Sequence, residues 1–178
     1  MAESEIKMRY ATVEDAEMLA DLSRRTFYDA FYDHPKNAPE DTDAFMETAF
    51  NVPQTRKDLA DEKLIFIIAE VAGEPAGYIK LRLDYSEPGI TGEKPLEICR
   101  LYSEQKYIGK GVGAALMQAA LDEAKKYERD TIWLGVWEYN PRAQAFYRKW
   151  NFEVCGSHVF QLGSDAQTDL LMQRKVTV

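Results

Sequence analysis

The sequence predicts an α/β fold, a mixed sheet of about seven strands with helices packed on it. Three observations carry that prediction. LEICRLYS, a glycine turn, a helix and TIWLGVW follow one another from Leu96 to Trp137, a right-handed crossover between parallel strands. LIFIIAEV and AGYIKLRLDY, separated by AGEP, read as an antiparallel hairpin. The chain has 178 residues and is 46% hydrophobic, enough for the core of one domain.

Ile6 to Tyr10 alternates as a short strand. Thr12 caps the helix that follows, with Asp15 three residues on as a weak analogue of the capping box. That helix, ATVEDAEMLADLSRRTFYDAF, ends near Asp33, where HPKNAPED breaks it. DTDAFMETAF and PQTRKDLADE read as two shorter helices, the second with Pro53 in its first turn, where no backbone donor is needed. SEPGITGEKP is a loop after the hairpin. TIWLGVW is almost continuously apolar, as expected of a strand covered on both faces. NPRAQAFYRKW is a helix capped by Asn140 with Pro141 behind it, and FEVCGSHVF and TDLLMQRKV close the chain as strands. With no repeat or low-complexity tract, residues 1–178 read as a single domain.

A net charge of −8 argues against broad nucleic-acid binding. Tyr28 to Asn51 carries six acids against Lys36, whereas Cys99 to Trp150 carries nine bases against six acids. Such a split fits ordinary solvated helix faces, or a protein with one end for an anion and another for a cation. Two histidines are too few for an ordinary zinc site, so no metal is expected. The two cysteines, Cys99 and Cys155, read as reduced core thiols. No apolar run approaches the roughly 20 residues of a membrane span, and MAESEIKMRY lacks the pattern of a secretory signal. A cytoplasmic protein is the expectation.

Gly109, Gly111 and Gly113 stand at alternate positions where a helix begins. Such a turn exposes main-chain N–H groups at the positive end of a helix dipole and suits a phosphate; a tight turn needing positive φ is the plainer explanation. A Walker loop is ruled out because Lys110 is followed by Gly111 rather than Ser or Thr. Gly109, Gly111 and Ala114 fit the dinucleotide pattern, with Glu138 ending the next strand. However, SEQKY separates strand from glycines, and too few strands follow for a nicotinamide-binding half. Coenzyme A remains, its pyrophosphate on the turn and its pantetheine along the preceding strand.

LEICRLYS, IGKGVG, the helix, TIWLGVW and NPRAQAFY together resemble the acetyl-CoA core of the GCN5-related N-acetyltransferase (GNAT) superfamily. Its turn reads Q/R-x-x-G-x-G/A, and Ile108 here replaces the usual polar residue. Asn140, Ala143, Phe146 and Tyr147 match its second cofactor motif. TFYDAFYDHPKNAPEDTDAFMETAF and GSHVFQLGSDAQTDLLMQRK extend the likeness to the PaiA-like polyamine acetyltransferases, although Ser103 stands where valine is common and Asn151 where glycine is usual.

The resemblance implies a mostly antiparallel sheet whose central parallel pair splays at the cofactor. It implies acetyl-CoA contacts from Leu101, Tyr102 and Ser103, and from the turn Ile108, Gly109, Lys110, Gly111, Val112, Gly113 and Ala114. Asn140, Arg142, Tyr147 and Lys149 of the next helix complete that set. The amide of Leu101 would stabilise the thioester oxygen. Tyr147 would be the general acid, although its place on a stripe with Ala143 and Trp150 also fits a core aromatic. Glu97, on the strand face of Cys99 and Leu101, is the expected base; a solvent-facing glutamate with a water chain as base is the other reading.

Superfamily members build the acceptor site from the first helix pair. Phe27, Tyr28, Asp29, Phe31, Tyr32 and Asp33 would thus hold a small amine, a polyamine such as spermidine or spermine, by charge and cation–π contact. Competing readings are the same transfer to a peptide or protein amine, and a coenzyme A-binding regulatory module with little catalysis. Monomer and homodimer both fit the sequence.

Overall fold

The computed structural model describes residues 4–177. The chain order is β1 (Ile6–Tyr10), α1 (Ala16–Phe31), α2 (Pro39–Ala49), α3 (Val52–Leu59), β2 (Leu64–Val71), β3 (Glu74–Leu83) and β4 (Pro95–Ser103). Then follow α4 (Val112–Lys126), β5 (Thr131–Trp137), α5 (Pro141–Lys149), β6 (Glu153–Leu162) and β7 (Asp165–Lys175). The seven strands form one sheet in the order β1-β2-β3-β4-β5-β7-β6, antiparallel throughout except for β4 and β5.

Local chemistry sets the element ends. The Asp15 carboxylate accepts from the Thr12 N–H at 2.8 Å, one arm of the predicted box, and a 3-10 turn over Val13–Asp15 leads into α1. That helix stops at Phe31 rather than near Asp33, because the His34 N–H turns back to the Phe31 carbonyl. Asn51 caps α3 by accepting from the Gln54 N–H at 2.8 Å. The β2–β3 turn is two residues, Ala72 and Gly73, both at positive φ, as the right-handed twist of a hairpin prefers.

Alternation along the strands divides the core between two faces. Ile65, Ile67, Ile79, Leu81, Leu96 and Ile98 pack under α4, whose Leu116, Met117, Ala120 and Ala124 form a buried stripe. Phe66 and Tyr78 face the other way, under Leu19 and Leu22 of α1. A third cluster joins Phe27 of α1, Met46 of α2 and Leu162 of β6.

The parallel pair is short. β4 and β5 stay in register from Pro95↔Thr131 to Ile98↔Leu134. Beyond Ile98, β4 pairs only with β3, and beyond Leu134, β5 pairs only with β7. Cys99 is the extra residue of a bulge, since Ile98 faces Leu81 and Arg100 faces Lys80. A bulge increases local twist and ends pairing, so Cys99 marks the place where the sheet opens.

Candidate active site

Into that opening runs a cavity of about 840 Å³. Its walls are the parted ends of β4 and β5, the glycine turn, α5, one side of α1, and β6–β7.

The turn explains two of its three glycines directly. Gly109 and Gly111 adopt φ of 78° and 88°, the left-handed region that L side chains avoid. Gly113 is different: it lies within α4, and a Cβ added there would make only an ordinary 3.7 Å contact with the Phe146 ring. Neither strain nor packing demands glycine at 113, and the position lines the cavity. The first intrahelical bond of α4 runs from the Ala115 N–H to the Gly111 carbonyl, so the preceding amides have no helical partner. A bare, amide-rich helix start open to a cavity fits a pyrophosphate. Arg142 and Lys149 of α5 line the same cavity and add positive charge.

On β4, Leu101, Tyr102 and Ser103 line the gap, each paired with β3 on one edge and leaving the β5 edge free. Such an edge can accept an extended amide chain as an added strand. Ile108, Gly109, Gly111, Gly113 and Ala114 of the turn also line it, as do Asn140 and Tyr147 of α5. Lys110 and Val112 do not: Lys110 is exposed and the Val112 side chain is buried in the core, so Val112 can offer only its backbone.

Asn140 sits between β5 and α5. Its Oδ1 accepts from the Ala143 N–H at 3.2 Å, while the Gln144 amide donates to the Trp137 and Glu138 carbonyls at 3.2 and 3.0 Å. The far end of α5 is tied by Phe152 N–H to Tyr147 carbonyl and Asn151 N–H to Arg148 carbonyl, with Asn151 at φ 66°. This is the Schellman pattern, and asparagine is the side chain that best replaces glycine there. Tyr147, held in this short capped helix, packs its ring 5.9 Å from Phe152. Burial pushes its phenol up to about 12.

Other predicted residues lie elsewhere. Glu97 is outside the cavity lining, bound to the Arg82 guanidinium at 2.6 Å on β3. It precedes the bulge, in the stretch where β4 and β5 are still paired, so the residue expected as base stands outside the cavity wall. Of the acceptor set, Phe27, Asp29 and Phe31 line the cavity, but Tyr28, Tyr32 and Asp33 do not. Tyr28 and Tyr32 instead stack on each other, with centroids 4.2 Å apart. In the acidic segment, Asp41 is engaged by the Ser164 N–H and hydroxyl at 2.8 and 2.7 Å. Both cysteines are free thiols, and burial pushes Cys99 up to about 12.

Sequence reasoning passed over Trp137, Phe160 and Asp169, all in the cavity wall. Asp169 is 9% exposed, and burial raises its carboxyl, with His158 opposing the rise. The available signal was an acid at an inward position of the apolar strand TDLLM. Among the described residues no cluster could hold a metal ion, and no helix is long and apolar enough to cross a membrane.

A parallel pair that opens beside a glycine-led helix, with a cavity along the free strand edge, defines an acyl-coenzyme A-dependent acyltransferase. The model of the acetyltransferase (GNAT) family matches residues 16–152, and the chain belongs to that family. It is similar to an uncharacterized N-acetyltransferase of Lactobacillus delbrueckii subsp. lactis, 32% identical over 95% of this chain and 96% of that one. An N-alpha-acetyltransferase of Sulfurisphaera tokodaii is 29% identical over 61% of this chain and 69% of its own. Among solved structures, the PaiA N-acetyltransferase of Thermoplasma acidophilum in complex with coenzyme A has the same fold. The match has a TM-score of 0.76 and 21% identity, covering 96% of this chain and 99% of that one. The protein is thus an acetyl-CoA-dependent N-acetyltransferase.

Proposed function

We propose that the acceptor is a small polyamine, such as spermidine or spermine, bound together with acetyl-CoA in a ternary complex. One observation carries this reading: every ionisable side chain that α1, β6 and β7 contribute to the cavity is a carboxylate, Asp29 or Asp169. Around them stand Phe27, Phe31, Trp137 and Phe160, whose ring faces attract cations. Arg100 of β4 also lines the cavity, with its guanidinium 4.8 Å from the Phe50 ring. The opposite end carries Arg142, Lys149 and the helix start. Of the acidic segment only Asp29 reaches this wall, and Asp169 of β7 supplies the second carboxylate.

When bound, acetyl-CoA supplies an activated acetyl group. Leu101 to Ser103 orient an amide chain along the free edge of β4, and the Leu101 N–H is the donor toward developing negative charge on oxygen. Tyr147 keeps its proton at neutral pH, because burial disfavours the phenolate, and donates it to the departing sulfur. A second reading, transfer to the α-amine of a peptide, draws on the name of the S. tokodaii relative.

A thiol-release assay with acetyl-CoA across spermidine, spermine and a peptide with a free N-terminus tests both. Turnover is expected with the polyamines, with KM rising as salt screens Asp29 and Asp169. Turnover with the peptide alone would replace the polyamine reading. Tyr147→Phe should lower kcat about 10²- to 10⁴-fold with little change in coenzyme A binding; an unchanged kcat would remove Tyr147 from the chemistry.

A further inference from the structure

Three strands bring a second set of groups to the acceptor end. Across β6, β7 and β5, His158 faces Asp169 and Asp169 faces Trp137. His158 Nε2 lies 3.5 Å from Asp169 Oδ2, and its Nδ1 lies 3.6 Å from Glu87 Oε1 in the loop before β4. Beside them on β5 is Gly135, where a Cβ would meet His158 Nε2 at 3.0 Å and Asp169 Oδ2 at 3.3 Å. The side chain missing at 135 leaves room for the pair. Asp169 lines the cavity while His158 is outside it, so the chain of groups begins at the acceptor end and leads outward to the loop.

We infer that Asp169 takes the proton of the acceptor ammonium and that His158 and Glu87 carry that proton outward. The step rests on the amine-acceptor reading of the cavity, whichever amine is bound. The ammonium gives one proton to the Asp169 carboxylate and becomes a neutral amine with a free lone pair. That proton passes to His158 Nε2 as the Nδ1 proton leaves toward Glu87 and water. The amine nitrogen then forms the C–N bond to the acetyl carbon while the C–S bond breaks. The second nitrogen proton lost in making the amide balances the one placed on sulfur through Tyr147. One proton per turnover therefore leaves the protein, and it leaves by this route.

The surroundings suit the task. A carboxyl raised by burial is a stronger base than an exposed aspartate, and it is ionised once pH exceeds that raised value. The titratable groups around Asp169 include His158 on β6, Glu87 behind it, and the Tyr102 phenol on β4, itself raised by burial and by neighbours including Asp169, while Asp29 of α1 and Arg100 of β4 line the same cavity. Activity limited by this base is lost as pH falls through the Asp169 pKa. Glu97, held by Arg82 outside the cavity, takes no part.

The test compares two acceptors. Spermidine arrives charged and needs the base; trifluoroethylamine, a weakly basic amine, arrives neutral at neutral pH and does not need it. Asp169→Asn should lower kcat at saturating spermidine about 10²-fold yet change kcat for trifluoroethylamine by less than about threefold, with the spermidine loss shrinking as pH rises. His158→Gln should show the same selectivity with a smaller loss. Melting and coenzyme A binding serve as folding controls, and Asp169→Asn should melt no lower than wild type. If wild type ignores spermidine but acetylates the peptide amine, the peptide takes spermidine's place, and only the polyamine reading fails. Equal losses for strong and weak amines, or a rise in KM with kcat unchanged, would overturn the proton route and leave Asp169 as a charged anchor.

Discussion

Gly135 shows how a single absent side chain can matter to the chemistry. It lies at the first β5 position beyond the pairing with β4, its φ is ordinary, and only its neighbours make it special. Gly135→Ala should force His158 and Asp169 apart, cost about 1–3 kcal/mol as an overpacked site does, and reduce kcat toward that of Asp169→Asn. Urea melts with amine kinetics check both, and an alanine variant with wild-type kcat would show that the spacing of the pair is immaterial. Nothing in TIWLGVW flagged this glycine, because its constraint comes from His158 and Asp169, more than twenty residues later. Tyr147 was legible for the opposite reason: its motif is local to one short helix. The pairing of Glu97 with Arg82 was not legible, because Arg82 sits on another strand and only the register of β3 with β4 brings them together.

At the scale of elements, the helices and strands were readable because periodicity and caps are written into contiguous residues. The 3-10 lead-in to α1 and the bulge at Cys99 were not, since both depend on where neighbouring elements pull the chain. The start of α4 permits a sharper experiment. Gly113 has a helical conformation and space for a methyl group. Gly113→Ala should therefore stabilise the fold by up to about 1 kcal/mol through helix propensity while weakening coenzyme A binding, because the methyl group occupies the approach to the amides. Thermal melts and calorimetric titration read the two effects separately. A variant that is more stable and binds coenzyme A equally well would mean that ligand approach is not why the third glycine stands there. Gly109 and Gly111 do not allow this separation, since their positive φ makes any replacement strained.

For the whole molecule, the decisive feature is that the sheet is joined across β4 and β5 at one end only. Beyond Ile98 and Leu134, no main-chain hydrogen bonds join β3–β4 to β5–β7–β6, and contact between the halves rests on α4, α5 and the α1–α2 cluster. A ligand filling the 840 Å³ cavity touches both halves and binds only the folded chain. At a free concentration 100 times its Kd, such a ligand stabilises the native state by about 2.7 kcal/mol. For a chain of 178 residues that corresponds to a rise in Tm of roughly 5–11 °C. Coenzyme A should produce this shift, growing with the logarithm of its concentration, and adenosine alone should produce much less because it cannot span from the glycine turn to the gap between β4 and β5. Hydrogen exchange would locate the effect: protection should rise in Leu101 to Ser103 and at the start of α4, and stay unchanged at the outer β1–β2 pair. A Tm insensitive to coenzyme A at concentrations well above those of ordinary substrates would mean that the opening in the sheet is not where the cofactor is held, and the assignments of Leu101 to Ser103 and of Tyr147 would go with it.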